Sequence, residues 1–280
     1  MNICILDISG LMYRAFYSVP SMKYNGQEVG ALFGFCSEII NLISTFGNSI
    51  FIAALDSAKH TFRNDIYPEY KANRTSMPND LLSQCPLIRE ACEKFGFKTV
   101  SKKDYEADDI IATYAKYFYT KHSVTVVSCD KDLLQLLRFN EVKIYNPSKH
   151  RYINVEDVLA KYGVMPCQLL DTFSLIGDTT DNIPGIPSIG IKTASKLITQ
   201  YKSVEGLISN LDKLPNTKQM QQLKANIDKA TLSKRLVELN YSVDVDFDLN
   251  NKNKPDAINF LLTFGFHSLI KRLNRMKYLH

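Results

Sequence analysis

The chain has 280 residues, 45% of them hydrophobic, and its 34 basic against 29 acidic side chains leave a formal charge of +5. That length predicts one large domain or a main domain with a smaller second one, with apolar residues enough to bury a core without staples. No stretch has the length and purity of a transmembrane helix or the flanks of a signal peptide. The six cysteines (Cys4, Cys36, Cys85, Cys92, Cys129, Cys167) form no Cys-x-x-Cys pair, which argues against zinc and against a disulfide framework and fits a reducing, cytoplasmic setting.

The chain begins with an apolar run, residues 1–16, broken by Asp7; it reads as buried strand, with residues 3–6 at its heart. Residues 30–46 carry apolar side chains at helical spacing (Leu32, Phe33, Phe35, Cys36, Ile39, Ile40, Ile43). Then follow a strand at 50–55, a helix at 86–95, a short strand at 99–100, a helix at 107–119, a strand at 124–128, a helix start at 131–137 and a strand at 142–145. Strands alternating with helices predict an α/β domain with a mostly parallel sheet. Beyond about residue 154 the pattern is helical: 155–162, 167–176, 191–201, 204–210 and 220–241, with glycines and prolines gathered at 177–190. The expected division is residues 1–165 and residues 166–280.

Three predicted strands run into aspartates: Asp7, Asp56, and Asp130 with Asp132 close behind. Parallel strands share one C-terminal edge, where ligands bind in α/β sheets. One such aspartate is as readily a helix N-cap; three strands ending alike are harder to explain as capping. Glu106, Asp108 and Asp109 open the helix at 107–119, and Asp178 and Asp181 lie in a turn-like Gly-Asp-Thr-Thr-Asp-Asn. Crowded carboxylates repel and need cations. Oxygen donors without histidine or cysteine select Mg²⁺ or Mn²⁺, and the set suits two-metal phosphodiester chemistry.

Taken in order, Leu6-Asp7, Tyr13-Arg14-Ala15-Phe16, Asp56, Phe62-Arg63, Tyr67, Tyr70-Lys71 with Arg74, Tyr105-Glu106-Ala107-Asp108-Asp109, Asp130-Lys131-Asp132-Leu133, Gly177-Asp178-Thr179-Thr180-Asp181-Asn182-Ile183-Pro184-Gly185 and Gly190-Ile191-Lys192-Thr193-Ala194 resemble the 5′→3′ exonuclease domain of bacterial DNA polymerase I and the wider flap-endonuclease family. The resemblance covers nearly the whole chain. It implies a PIN-like sheet flanked by helices, a helical arch at about 59–85 and a helix-three-turn-helix at about 170–202. It implies one metal on Asp7, Asp56, Glu106 and Asp108, a second on Asp108, Asp130, Asp132 and the Asp178/Asp181 pair, and Asp109 outside the inner shell. The family's usual Asp-Gly near the start is Asp7-Ile8 here, with Gly10 following.

Lys59, Arg63, Lys71 and Arg74, interleaved with Phe62, Tyr67 and Tyr70, have the basic and aromatic mix of single-strand binding, though composition alone would equally give a solvated helix face. The resemblance assigns them to the arch, with Lys71 and Arg74, one helical turn apart, at the scissile phosphate and Tyr13 and Arg14 bordering the site. Gly185 and Gly190 would let backbone approach phosphate, helped by Lys192 and Thr193, and turn carbonyls there would take K⁺. The implied substrates are DNA 5′ flaps, nicks and 5′ ends, cut by a monomer that is either free-standing or joined to a polymerase, away from membranes. Two alternatives stay open at this point: a non-catalytic DNA-binding domain, and a PIN-type ribonuclease.

Overall fold

The computed structural model describes residues 1–57, 60–250 and 255–276. Its elements in chain order are β1 (Asn2–Asp7), α1 (Ile8–Ser18), β2 (Lys23–Tyr24), β3 (Gln27–Glu28), α2 (Gly30–Phe46), β4 (Ile50–Ala54), α3 (Phe62–Ile66), α4 (Asn79–Leu82), α5 (Cys85–Lys94), β5 (Lys98–Val100), α6 (Ala107–Phe118), β6 (Ser123–Val127), a 3₁₀ turn (Asp132–Arg138), β7 (Val142–Asn146), β8 (Arg151–Ile153), α7 (Val155–Tyr162), α8 (Leu169–Ile176), α9 (Ile191–Tyr201), α10 (Val204–Ile208), α11 (Lys218–Ala225), α12 (Ile227–Val237), α13 (Ala257–Thr263) and α14 (His267–Arg275). Among the described residues the main sheet has the order β5-β4-β1-β6-β7-β8, parallel except for β8. β1 is central, paired with β4 through Ile3↔Ile50 and with β6 through Ile3↔Val124. Both of its faces are covered, which is why Ile3, Cys4, Ile5 and Leu6 are all apolar and buried.

The apolar run at 1–16 is not one strand. Asp7 ends β1 and caps α1, its side chain accepting from the Gly10 amide, so the run changes from strand to helix at its one charge. Gly10 is required there, because a Cβ would stand 2.6 Å from Asp7 Oδ2.

One face of the sheet packs α1, α2 and α5, joined by α13 and α14 from the chain's far end: Phe266 and Leu269 enter the same core as Phe35 and Ile39. The other face packs α6, the 3₁₀ turn, α8 and α12. α9, α10 and α11 close a smaller core of their own around Ile189, Ile198 and Leu223. The region after residue 165 therefore forms a helical layer whose last two helices return to the first core.

No helical arch spans the described part of 59–85. α3 ends at Ile66, before Tyr67-Pro68, as a following proline demands. Residues 68–73 are turns, Lys71 has φ +59°, and α4 is a single turn after Pro78. Lys59 lies outside the described residues.

Candidate metal centre

The C-terminal edge of the parallel strands carries four of the acidic residues that the sequence singles out. Asp7 ends β1, Asp56 follows β4 by two residues, and Asp130 and Asp132 follow β6. Glu106 caps α6 and Asp108 sits in its first turn, where the helix dipole favours negative charge. Hydroxyls and amides brace the group. Ser128 Oγ donates to Asp7 Oδ2 at 2.7 Å, Ser9 Oγ to Asp56 Oδ2 at 2.6 Å, and the Ala107 amide to Asp56 Oδ1 at 2.8 Å. Ser9 and Ser128 were not singled out from sequence; their signal was only adjacency to the strand-end aspartates.

The carboxylates feel one another. Burial, with the charges of Asp130 and Asp56 adding, pushes Asp7 up to about 6 against the bonds from Gly10 and Ser128. Burial and then Asp130 push Asp132 up to about 7, with Asp178 and Asp181 adding and Lys131 opposing. Asp108 is raised well above the usual carboxylate range by burial, then by Asp130, Asp7 and Glu106.

Glu106, Asp178 and Asp181 carry cations. Burial would raise Glu106, but Lys71 and Arg63 outweigh it and hold the group low; Lys71 Nζ lies 2.5 Å from Glu106 Oε1 and Tyr70 donates to Oε2 at 3.1 Å. Arg74 meets Asp181 at 2.5 Å, and Lys131 bonds Asp178. Lys131 stood inside a quoted motif, between two aspartates, and drew no role from sequence. No ion pair among the described residues reaches Asp7, Asp56, Asp108 or Asp130; the pairs of this region go to Glu106, Asp109, Asp132, Asp178 and Asp181.

These residues fit divalent ions of the hard type. All donors are oxygen, and Asp132 Oδ1 is buried with no hydrogen-bond partner, a state that a cation relieves. Among the described residues no three of the carboxylates close into a ready-made cage.

Asp109 is fully buried and bonded to Arg63 at 2.7 and 2.8 Å, so it faces the interior. Several sequence expectations are corrected. Arg63, 2% exposed, is no surface contact for DNA. Tyr70 is buried against Glu106 and offers no open face for base stacking. Arg14 is partly exposed and paired with Glu38 at 3.0 Å, which does not contradict a place beside the site. Lys71 and Arg74 do not share a helix face; a left-handed Lys71, its amide bonded to the Asp181 carbonyl at 2.8 Å, brings them to Glu106 and Asp181 instead.

Glycine has two different causes in the segment before α9. A Cβ at Gly185 would stand 2.0 Å from the Ile176 carbonyl oxygen, and the Gly185 amide bonds Ile183 O at 3.2 Å. Gly185 thus serves internal packing against Gly177, not an open approach. Gly190, the exposed N-cap of α9, has open space where a Cβ would be. Lys192 beside it is exposed, and Thr193 Oγ1 accepts from Gln219 at 3.2 Å. Tyr13 is half-buried, its ring 6.5 Å from Tyr17, and lies within electrostatic reach of Arg74 and Asp56.

A mostly parallel sheet with carboxylates along one edge, flanked by helices and joined to a helical layer, is a resolvase-like domain with a SAM-like one. The family described as 5′-3′ exonuclease, N-terminal resolvase-like domain, matches residues 2–163, and the 5′-3′ exonuclease, C-terminal SAM fold, matches residues 164–257. The chain belongs to the 5′-3′ exonuclease family. It is 38% identical to a DNA polymerase I of Rhizobium leguminosarum over an alignment of 287 positions that covers 97% of this chain but 28% of that protein. It is 37% identical to a 5′-3′ exonuclease of Buchnera aphidicola (subspecies Schizaphis graminum), covering 76% of this chain and 75% of the relative. The chain thus spans little more than a quarter of the polymerase. Among solved structures, T5 5′-exonuclease with bound divalent metal ions (zinc) superposes with TM-score 0.76 at 22% identity over all of both chains. The catalytic core of Rad2 with DNA substrate gives 0.63 at 12%, covering 98% of this chain and 92% of that one. Both show the same fold.

Proposed function

We propose that the chain is a structure-specific 5′-nuclease that hydrolyses DNA phosphodiester bonds at 5′ flaps, nicks and 5′ ends, as in primer removal and repair. The observation that carries the reading is that Asp7, Asp56 and Asp130 at the strand ends and Asp108 in the first turn of α6 lie within electrostatic reach of one another, with no lysine or arginine among the described residues paired to them.

Asp7, Asp56, Glu106 and Asp108 would hold one divalent ion, and Asp108, Asp130, Asp132 and the Asp178/Asp181 pair a second. Two bound Mg²⁺ ions, with Mn²⁺ as a substitute, supply at such a centre activation of the attacking water and stabilisation of the leaving oxygen. Lys71 and Arg74 hold their charge against Glu106 and Asp181, so a phosphate drawn to the cluster meets both cations as negative charge builds. Tyr13 borders the same opening. The start of α9 (Gly190, Lys192, Thr193) offers amides and a cation to duplex phosphates without reading sequence, with turn carbonyls as a K⁺ site. The protein acts as a cytoplasmic monomer, alone or beside a polymerase; among the described residues no helix is long and apolar enough to cross a membrane.

The test is cleavage of a 5′-labelled flap duplex with Mg²⁺, with excess EDTA, and with single-stranded RNA in place of DNA. Mg²⁺-dependent release of short 5′ DNA products supports the reading. Cleavage that survives EDTA, or a preference for RNA, overturns it.

A further inference from the structure

Arg63 makes an unusual number of bonds for one buried side chain. Its Nη1 and Nη2 form a fork on Asp109, Nε donates to Leu236 O at 2.8 Å, and Nη2 donates to Glu238 O at 2.9 Å. The same guanidinium stands 3.4 Å from Glu106 Oε2. Asp109 answers in kind: Oδ2 accepts from the Glu106 amide at 3.3 Å, and Oδ1 from the Asn240 amide at 2.9 Å. Three segments therefore meet at one ion pair: α3, the first turn of α6, and the last turn of α12 with the chain that follows it.

A buried ion pair is a poor source of net stability, because desolvation consumes most of its attraction. Its geometry is another matter. A two-pronged guanidinium–carboxylate fork fixes orientation as well as distance. Consecutive helix residues point about 100° apart, so fixing Asp109 inward sets the direction of Asp108, and the bond to the Glu106 amide sets where α6 begins. α12, just before the tethered chain, packs on α8, which leads into the loop of Asp178 and Asp181.

We infer that Arg63 and Asp109 are a positioning pair: buried, they aim Glu106 and Asp108 at the cation site and tie that aim to the C-terminal helical layer through Leu236, Glu238 and Asn240. The inference rests on the metal-centre reading above. Neither residue touches substrate or metal.

The experiment compares wild type with the paired variant Arg63→Gln/Asp109→Asn, which strands no buried charge, and with Arg63→Lys. The Mg²⁺ midpoint is measured twice, from metal-induced melting shifts without DNA and from single-turnover cleavage. Loss of a carboxylate's outer partner weakens metal binding by roughly 10–100-fold, so both midpoints should rise by about tenfold or more in the paired variant while KM for DNA holds. Arg63→Lys, which keeps charge but not the fork, should rescue the midpoint only in part. A folded paired variant with the wild-type midpoint overturns the inference. Should the variants not fold, hydrogen exchange on wild type decides: by reciprocity of coupling, Mg²⁺ must slow exchange of the Asn240 amide, and an unchanged rate overturns the inference. If wild type itself shows no metal-induced melting shift, the metal-centre reading fails, and this inference falls with it.

Discussion

Lys71 Nζ sits 2.5 Å from Glu106 Oε1, so the cation of a turn segment rests on a carboxylate at the mouth of α6. A positive charge held there acts on whatever negative charge approaches the cluster, and is worth most where charge is largest, in the transition state. Lys71→Ala should lower kcat by about a hundredfold or more, in line with loss of one transition-state donor. Because a competing cation leaves Glu106, Mg²⁺ affinity should not fall. Single-turnover cleavage of a flap duplex across a salt series checks this. Full rescue by more DNA or less salt would make Lys71 a binding residue instead.

Asp7→Asn keeps an oxygen to accept from the Gly10 amide and so keeps the cap of α1. It removes the charge that a cation would need. Turnover should be lost while the melting temperature is held or rises, since a buried, repelled carboxylate is gone. Asp130→Ala should likewise lose turnover, with some loss of stability because it removes the acceptor of the Asp132 amide. Turnover near the wild-type rate in either variant would remove that residue from the ligand set.

The metal-free protein should lose stability as pH rises. Asp7 and Asp132 are pushed up to about 6 and about 7, against about 4 in an unfolded chain. Between those values the folded form binds more protons than the unfolded one. Their stabilisation is therefore complete below about pH 4 and is lost as pH climbs through 6 to 7. A divalent ion binds the ionised form and opposes the loss. The melting-temperature gap between Mg²⁺ and EDTA samples should widen from about pH 5 to about pH 8. A gap that does not change with pH would contradict this picture of the cluster.

Elements with a strong period were legible in sequence: α2 spans 30–46 as its apolar spacing predicts, and α6 and β4 fall within a residue or so of expectation. The strand-end aspartates were legible for the same reason, since a parallel sheet puts its strand ends on one edge. Where two elements shared one apolar run, as β1 and α1 do, periodicity hid the change at Asp7. Arg63 misled because a buried cation and an exposed one look alike until the partner is known. Asp109 lies 46 residues away and Leu236 173 away. The return of α13 and α14 to the first core has no local signal either. Nor does the left-handed Lys71, which its bond to the Asp181 carbonyl helps to hold in place.

Two glycines should part company on substitution. Gly185→Ala forces a Cβ to within 2.0 Å of the Ile176 carbonyl oxygen, and should destabilise the protein by about 2 kcal/mol or more. Gly190→Val finds open space and an extended φ of −96°, and should cost about 1 kcal/mol or less as an N-cap change. Its side chain would instead stand where a phosphate approaches, so duplex binding should weaken while the single-turnover rate at saturating DNA changes less. Normal DNA binding by a folded Gly190→Val protein would take the start of α9 out of the interface.

In the proposed function, Asp7, Asp56, Asp108 and Asp130 hold divalent ions that drive DNA cleavage. The direct measurement strips the protein with EDTA and titrates Mg²⁺ back, following cleavage of a 5′-labelled flap duplex by wild type and by Asp7→Asn. The account predicts no cleavage without metal, a rate that rises and saturates with Mg²⁺ in wild type, and no recovery in Asp7→Asn at any Mg²⁺ concentration. Cleavage by stripped wild type, or full recovery by Asp7→Asn, would contradict it.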